Sequence, residues 1–354
     1  MLLAIDAHLD KYVVRRQLDG QEPQPAQTFR SDASLLRWAG KQVRLAGEVH
    51  SVYEAGPLGF TLHRKLAGIG VSNYVVKPKV LDEEGRRRKS DKLDTLGLVR
   101  DLDRYVRGNR LAMCVVRVPT VGEELPRSQT RVRHKLVGNR KRFESQGRGM
   151  LLFYGYHFKG TWWKKAKWEK EVRVSIPEEL AGLLAGLREI ILKIDATIAA
   201  LTRRIEESAT REIPKGLGRL TSEIIEREVI DWNRFARAKK VGSYTGMCPG
   251  EDSSGGRERK LSITKSGNPL LRHALVEAAW RLVRFQPGYR AVKAFYAKVA
   301  GGRIRGKAAR KRALVALARQ FAVDWWKVRT GRAKPEDLGL VMVAPKAAAD
   351  TPAG

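Results

Sequence analysis

Asp252-Ser253-Ser254-Gly255-Gly256-Arg257-Glu258-Arg259-Lys260 places two hydroxyls between carboxylates and a run of cations, next to a pair of glycines. Glycine tolerates backbone conformations and close ligand approach that a Cβ would block. A serine presented there can attack phosphorus while arginines hold the phosphate oxygens. Ser254 directly precedes the glycines, where access is greatest, and Ser253 is the second choice. Arg257, Lys260, Lys265 and Arg272 are the candidate phosphate clamps. The plain alternative for such a stretch is a polar surface loop.

A second chemistry-bearing set lies far upstream. Asp6 ends the apolar run Leu2-Leu3-Ala4-Ile5, and Glu54 ends Val49-His50-Ser51-Val52-Tyr53, both read as strands. Ser90 is a candidate N-cap, and Asp91 and Asp94 then fall on one face of a helix running through Leu98 and Leu102. Each acid has an ordinary explanation, as a polar strand end or a complement to a helix dipole. Together they offer something more. Four converging carboxylates repel one another unless cations sit between them. Mg²⁺, or Mn²⁺ in its place, takes such hard oxygen ligands, and Mg²⁺ keeps waters for substrate phosphates. A pair of these ions clamps the attacking and leaving oxygens of phosphoryl transfer.

The elements that must position these groups follow from hydrophobic patterning. Lys11-Tyr12-Val13-Val14-Arg15 pairs with the first strand as a hairpin, and Ser31 caps a helix carrying Leu35, Leu36, Trp38 and Ala39. Phe60, Leu62, Leu66 and Ile69 mark another helix, and 71–76 another strand. Strands first, then helices alternating with strands, make an α/β region with a central mixed sheet. From Pro177 onward, Leu180, Leu184, Leu187, Ile191, Ile194, Ile198, Leu201 and Ile205 recur at spacings of four and three. That is a coiled-coil seam, which either pairs between subunits, the favoured reading, or folds against another helix of the same chain. The segment 270–285 reads as an amphipathic helix, and Leu314, Leu317, Phe321, Trp325 and Trp326 as a last packed one.

Composition narrows the partners. The 354 residues hold 69 Lys and Arg against 38 Asp and Glu, a net charge of +31 spread along the chain. Such self-repulsion points to a polyanion, and nucleic acid is the obvious one. Cys114 and Cys248 form no CxxC unit, which fits a reducing cytoplasm. No apolar run reaches the roughly 20 residues of a membrane span, and no signal peptide is read at the N-terminus.

Asp6, Glu54 (in Tyr53-Glu54-Ala55-Gly56-Pro57), Asp91 and Asp94 (in Lys89-Ser90-Asp91-Lys92-Leu93-Asp94) resemble the acidic tetrad of the DEDD transposases of bacterial insertion sequences. The resemblance resumes at 242–249, covers Ser253-Ser254-Gly255-Gly256, and continues through 263–269 to Leu271-Arg272. It implies an RNase H-like (RuvC-like) N-terminal fold, a coiled coil between domains, and a mainly α-helical C-terminal domain with a nucleophilic serine. It also implies DNA recombination by an oligomer, dimer or tetramer, with a structured non-coding RNA pairing to donor and target DNA in the bacterial cytoplasm. The expected domains are 1–108 RNase H-like, 109–176 basic and aromatic, 177–210 coiled coil, 211–335 transposase domain and 336–354 disordered tail.

Two stretches carry alternatives. Phe153, Tyr154, Tyr156, Phe158, Trp162, Trp163 and Trp168 interleave with lysines, which suits either nucleic-acid stacking or a core with a solvated basic face. Residues 213–221 resemble a helix-hairpin-helix turn, whose backbone amides would face a phosphate, or form a plain interhelical turn. His273, near the serine stretch, is not assigned as a base. For function, the competing readings are a hydrolytic metal nuclease or junction resolvase, a non-catalytic nucleic-acid binder, and a strand invertase that works without RNA.

Overall fold

The computed structural model describes residues 1–78, 91–254 and 257–344, with backbone alone for 91–93, 251–254 and 257–261. Two compact units divide the chain, Met1–Pro119 and Thr120–Gly354.

In the first unit, β1 (Leu2–Ala7) and β2 (Tyr12–Gln17) form an antiparallel hairpin, Leu2 opposite Gln17 and Ala7 opposite Tyr12. β3 (Gln27–Phe29) pairs antiparallel with β2. α1 (Asp32–Leu45) starts at Ser31, whose hydroxyl accepts a hydrogen bond from the Ser34 amide. β4 (His50–Glu54), α2 (Thr61–Gly68) and β5 (Ser72–Val76) follow; β4 lies parallel to β1, and β5 parallel to β4. The sheet order is β3-β2-β1-β4-β5, a mixed sheet.

The two-residue period of the strands sorts their side chains. Leu3, Ile5, Tyr53 and Val75 pack with Leu35, Ala39, Leu62 and Leu66 of α1 and α2. Leu2, Ala4, Val52 and Val76 pack on the other side with Leu98, Val99 and Leu102 of α3 (Asp91–Val106). β1 is covered on both faces, which is why it reads as an unbroken apolar run. Each fully buried Leu or Ile here stabilises by about 1.5–3 kcal/mol. The first unit continues past residue 108: the Lys77 amide donates to Cys114 O (3.0 Å) and the Val116 amide to Val75 O (2.8 Å).

The second unit opens with α4 (Val121–Phe153), a 33-residue helix within the stretch that sequence analysis left as basic and aromatic. A capping box starts it. Thr120 Oγ1 accepts from the Glu123 amide (3.3 Å), and the Glu123 carboxylate accepts from the Thr120 amide (2.8 Å). α5 (Glu178–Glu207) runs antiparallel to it, since Arg133 bonds Thr202 (2.6 Å) while Arg140 pairs with Asp195. Leu180, Leu184, Ile191, Ile198 and Ile205 are buried. The seam expected to meet another subunit therefore faces α4 of its own chain. Trp162, Trp163 and Trp168 are buried in the same cluster with Leu151, Leu184 and Ile191. Of the two readings of the aromatic stretch, these three tryptophans take the core one, while Phe153 and Tyr154 stay exposed.

The rest of the unit comprises β6 (Ile213–Pro214), α6 (Arg219–Val229), α7 (Ala238–Thr245), β7 (Pro249–Ser254), β8 (Arg257–Ile263), α8 (Pro269–Phe285), α9 (Arg290–Ala300), α10 (Gly306–Arg329) and β9 (Met342–Val343). One core joins α6, α7, α8, α9 and α10 through residues such as Ile225, Leu275, Leu282, Val292 and Phe321. One expectation changes here. The tail assigned from 336 is built into the unit as far as Val343: Leu338 and Leu340 are buried, β9 pairs with β6, and Gln286 bonds both the amide and the carbonyl of Val341. Residues 345–354 lie outside the described residues. In the turn at 213–221 two amides bond within the protein, Lys215 N on Val341 O (2.8 Å) and Leu217 N on Pro214 O (2.9 Å). Those amides are spent on the protein, as in a plain turn.

Packing of α4 gives a test. A Cβ at Gly147 would come within 2.1 Å of the Trp162 indole, whereas one at Gly138 would meet nothing within 4 Å. Trp162 is held, because it is 1% exposed and its Nε1 donates to Glu144 O (2.9 Å). Gly147→Ala is expected to destabilise by about 1–3 kcal/mol through overpacking. Gly138→Ala should instead stabilise by up to about 1 kcal/mol through helix propensity. Thermal melting of the two variants should shift in opposite directions.

Candidate functional site

The acidic set lies in the first unit. Ile5 stands beside Tyr53 as the last register pair of β1 and β4, so Asp6 and Glu54 follow at the ends of adjacent parallel strands. Strand alternation puts both on the side of Leu2, Ala4 and Val52, the face that α3 covers. α3 crosses this face. Early in the helix, Thr95 accepts from Arg15 Nε of β2 (3.5 Å); near its end, the Tyr105 ring meets Tyr74 of β5 at 5.3 Å. Asp94 lies one helical turn before Leu98, which packs on that face. Asp91 is the first helical residue, and its side chain lies outside the described residues. Asp6 Oδ2 is 3.0 Å from His8 Nε2. Among the described residues, no three His, Cys, Asp or Glu side chains are grouped closely enough to hold a metal ion. Asp6 and Glu54 share a face by strand alternation, and the hard oxygens of the carboxylates match Mg²⁺ or Mn²⁺ by donor chemistry alone.

The serine stretch lies in the second unit, as an antiparallel ribbon. By register Ser254 stands opposite Arg257, Ser253 opposite Glu258, Asp252 opposite Arg259 and Glu251 opposite Lys260. Residues 252, 254, 257 and 259 thus share one face of the ribbon, and 251, 253, 258 and 260 the other. Of the clamp candidates within the ribbon, Arg257 accompanies Ser254 and Lys260 accompanies Ser253. Gly255 and Gly256 lie outside the described residues.

The foot of the ribbon is tightly built. Thr264 N donates to Cys248 O (2.9 Å) and Lys265 N to Gly246 O (3.0 Å). Gly246 sits at φ +66°, and a Cβ on Gly267 would come within 2.3 Å of Tyr244 O. Only glycine permits that approach of two backbone segments. Arg272 Nη1 donates to the carbonyls of Thr245 (3.2 Å) and Lys265 (3.3 Å). Arg272, a candidate phosphate clamp by sequence, therefore ties the foot together. Lys265 is exposed just beyond it, with φ +54°.

Beneath the foot lies a residue that sequence analysis missed. Glu228 is 0% exposed at its side chain. Its carboxylate accepts from Arg127 Nε (3.1 Å), Arg131 Nε (3.0 Å), Arg131 Nη2 (3.0 Å) and the Asn268 amide. Its backbone carbonyl accepts from Tyr244 Oη (3.0 Å). Asn268 also caps α8, accepting from Leu270 N (3.0 Å) and Leu271 N (3.2 Å). One carboxylate thus links α4, α6 and the first turn of α8. Burial pushes the Glu228 carboxyl up, but Arg131, Arg127 and Asn268 outweigh that and hold it below the ordinary value of 4.5. Nothing in the local pattern Ile225-Glu226-Arg227-Glu228-Val229 marks it out; the Thr120-to-Glu123 capping box was the available signal for the helix that brings Arg127 and Arg131 to it. His273 of α8 packs on His134 of α4, ring centroids 5.6 Å apart. Burial first, then His273, Arg133 and Lys141, lower the pKa of His134. This pair is helix packing, in line with leaving His273 unassigned.

Glu228 also sets a pH dependence. A carboxylate with a depressed folded pKa stabilises above its unfolded value, and that stability is lost as pH falls through the folded pKa. The wild type should lose stability steeply below about pH 4.5. Glu228→Gln removes the charge partner of the half-buried Arg127 and the exposed Arg131 and is expected to cost about 2 kcal/mol near neutrality. Urea unfolding across pH 3–7 should show that cost shrinking toward acid, where the wild-type carboxylate is itself protonated.

Residues 210–297 match the model described as "Transposase IS116/IS110/IS902 family", the region that holds α6, the ribbon and α8. The chain is 28% identical over 306 residues to a putative transposase, y4rJ, of Sinorhizobium fredii, spanning 78% of this chain and 76% of that one. It is 30% identical over 257 residues to a second from that organism, y4qE, spanning 71% of this chain and 63% of the relative. It is 25% identical over 283 residues to the transposase for insertion sequence element IS1111A of Coxiella burnetii, spanning 76% and 74%.

Proposed function

We propose that this chain, an IS110/IS116-type transposase by its matched domain and its relatives, cuts and rejoins DNA through a covalent phosphoserine. The observation that carries the reading is the register of Ser254 with Arg257 on the ribbon inside the matched region. Arg257 would hold a phosphate oxygen while Ser254 Oγ attacks phosphorus. A serine–phosphorus bond forms, one bridging P–O bond breaks, and the departing strand oxygen takes up the proton that serine gives up. Attack by a strand hydroxyl on the phosphoserine reverses those changes, so the bond is conserved for rejoining.

Asp6, Glu54, Asp91 and Asp94 are the residues proposed to hold Mg²⁺, or Mn²⁺. When bound, such an ion polarises the scissile phosphodiester. The common sheet face of Asp6 and Glu54, crossed by the helix that carries Asp91 and Asp94, supports their acting as a set, as does the resemblance to the DEDD tetrad; the same features support the RNase H-like reading of the first unit. Lys260 and Lys265 are left as cations near the ribbon, and Arg272 as the tie at its foot. The net charge of +31 suits donor and target DNA together with a guide RNA. No helix among the described residues is long and apolar enough to cross a membrane.

Two measurements decide the matter. Ser254→Ala should abolish any protein–DNA adduct trapped on a supercoiled substrate, and Ser253→Ala should not. Cleavage that survives Ser254→Ala, with no adduct in the wild type, would make the enzyme a hydrolytic nuclease. The guide is tested separately: the purified protein should carry one discrete RNA, and digesting that RNA should end recombination.

A further inference from the structure

A groove of about 800 Å³ opens beside the foot of the ribbon, between α7 and α10. Met247, Ile263, Val315 and Val323 give it apolar walls. Lys239, Lys311, Arg312 and Arg319 also line it, and none of its described lining residues is acidic. Arg319 Nε is shut off from solvent with no hydrogen-bond partner. It packs over Gly242, where a Cβ would come within 2.9 Å of that nitrogen. The glycine makes room for the guanidinium at the groove.

Two features have to be matched by whatever enters. Cations alone would suit the backbone of intact duplex, which leaves an apolar hollow unused. Apolar walls alone would suit an uncharged small molecule, which leaves four cations unmatched. A single nucleotide has both parts, a flat base with little charge and an anionic phosphate. The volume lies within the range of about 300–1,000 Å³ typical of small-ligand sites. Enzymes that handle a nucleotide outside the stack hold its base between apolar side chains.

We infer that the groove takes one unpaired nucleotide of a DNA strand beside the ribbon, its base against Met247, Ile263, Val315 and Val323 and its phosphate on the Lys311, Arg312 and Lys239 side. The inference rests on the reading that the chain works on DNA. It does not require Ser254 to attack.

The test uses full-length protein at fixed salt and two duplexes of one sequence, one fully paired and one with a single unpaired 2-aminopurine. The wild type should bind the second about tenfold tighter, a preference at the lower end of what one held base supplies, with a change in 2-aminopurine fluorescence. Ala316 lines the groove and is exposed, so Ala316→Trp fills the space and leaves the charge intact. It should bring the preference close to one while binding of paired duplex stays within about twofold. Lys311→Ala with Arg312→Ala, both exposed, should weaken the unpaired complex more than the paired one. Ser254→Ala should keep the full preference, so failure of the serine reading and failure of this one are separable. The inference is overturned if the wild type shows no preference, if Ala316→Trp retains it, or if an RNA duplex with the same unpaired base binds as tightly as the DNA.

Discussion

A carboxylate with no exposure to water is unfavourable unless its charge is matched, and the second unit is arranged around matching Glu228. Arg127 and Arg131 come from one helix, Glu228 from another, and Asn268 from the cap of a third. The cost of desolvating these groups is offset only when all are in place. That makes the arrangement all-or-none. The same Asn268 caps α8 and follows directly on Gly267, whose close approach to Tyr244 fixes the ribbon's foot. The ion pair and the ribbon's anchorage are therefore mechanically one feature.

The cations of this protein serve two different purposes. Arg127, Arg131 and Arg272 bond carboxylate or backbone oxygens, and Arg140 pairs with Asp195. These bonds hold helices and the ribbon together, and each would be forfeited by turning the side chain to a phosphate. Lys239, Lys311 and Arg312 are exposed beside an apolar hollow and have no such commitment shown. A net charge of +31 says that a polyanion is wanted, but it does not say which cations meet it. Long-range attraction depends on the sum, whereas specific contact depends on which guanidinium groups remain unspent.

The first unit was the more legible of the two. Its strands and helices announce themselves through period-two and period-four apolar patterns, and the runs at Leu2, Tyr12, Val49 and 71–76 became four neighbouring strands of one sheet. The short strand Gln27–Phe29 has no such pattern and was not foreseen. In the second unit Leu180, Leu184, Ile191, Ile198 and Ile205 of the seam are buried, and within the chain they meet α4, the less favoured of the two partners the pattern allows, because a heptad face says what it needs and not who supplies it. α4 was missed because its surface is largely basic, with glycines at 138, 147 and 149 that lower helix propensity. The segment 336–343 looked like a tail because it is short and follows the last long helix; it is ordered because Leu338 and Leu340 find the core and Gln286 bonds Val341.

What the sequence by itself determined is local. Residue type and spacing established the strand-end acids, the serine between carboxylates and cations, the helix stripes and the overall positive charge. These depend only on backbone periodicity and side-chain chemistry, which act over a few residues. Tertiary structure alone decided that Glu228 is buried between two arginines from a helix about a hundred residues upstream in the chain, that Arg272 ties a foot, and that three tryptophans are core. The physical reason is that desolvation and pairing are properties of where distant segments meet, and no short stretch of chain carries that information.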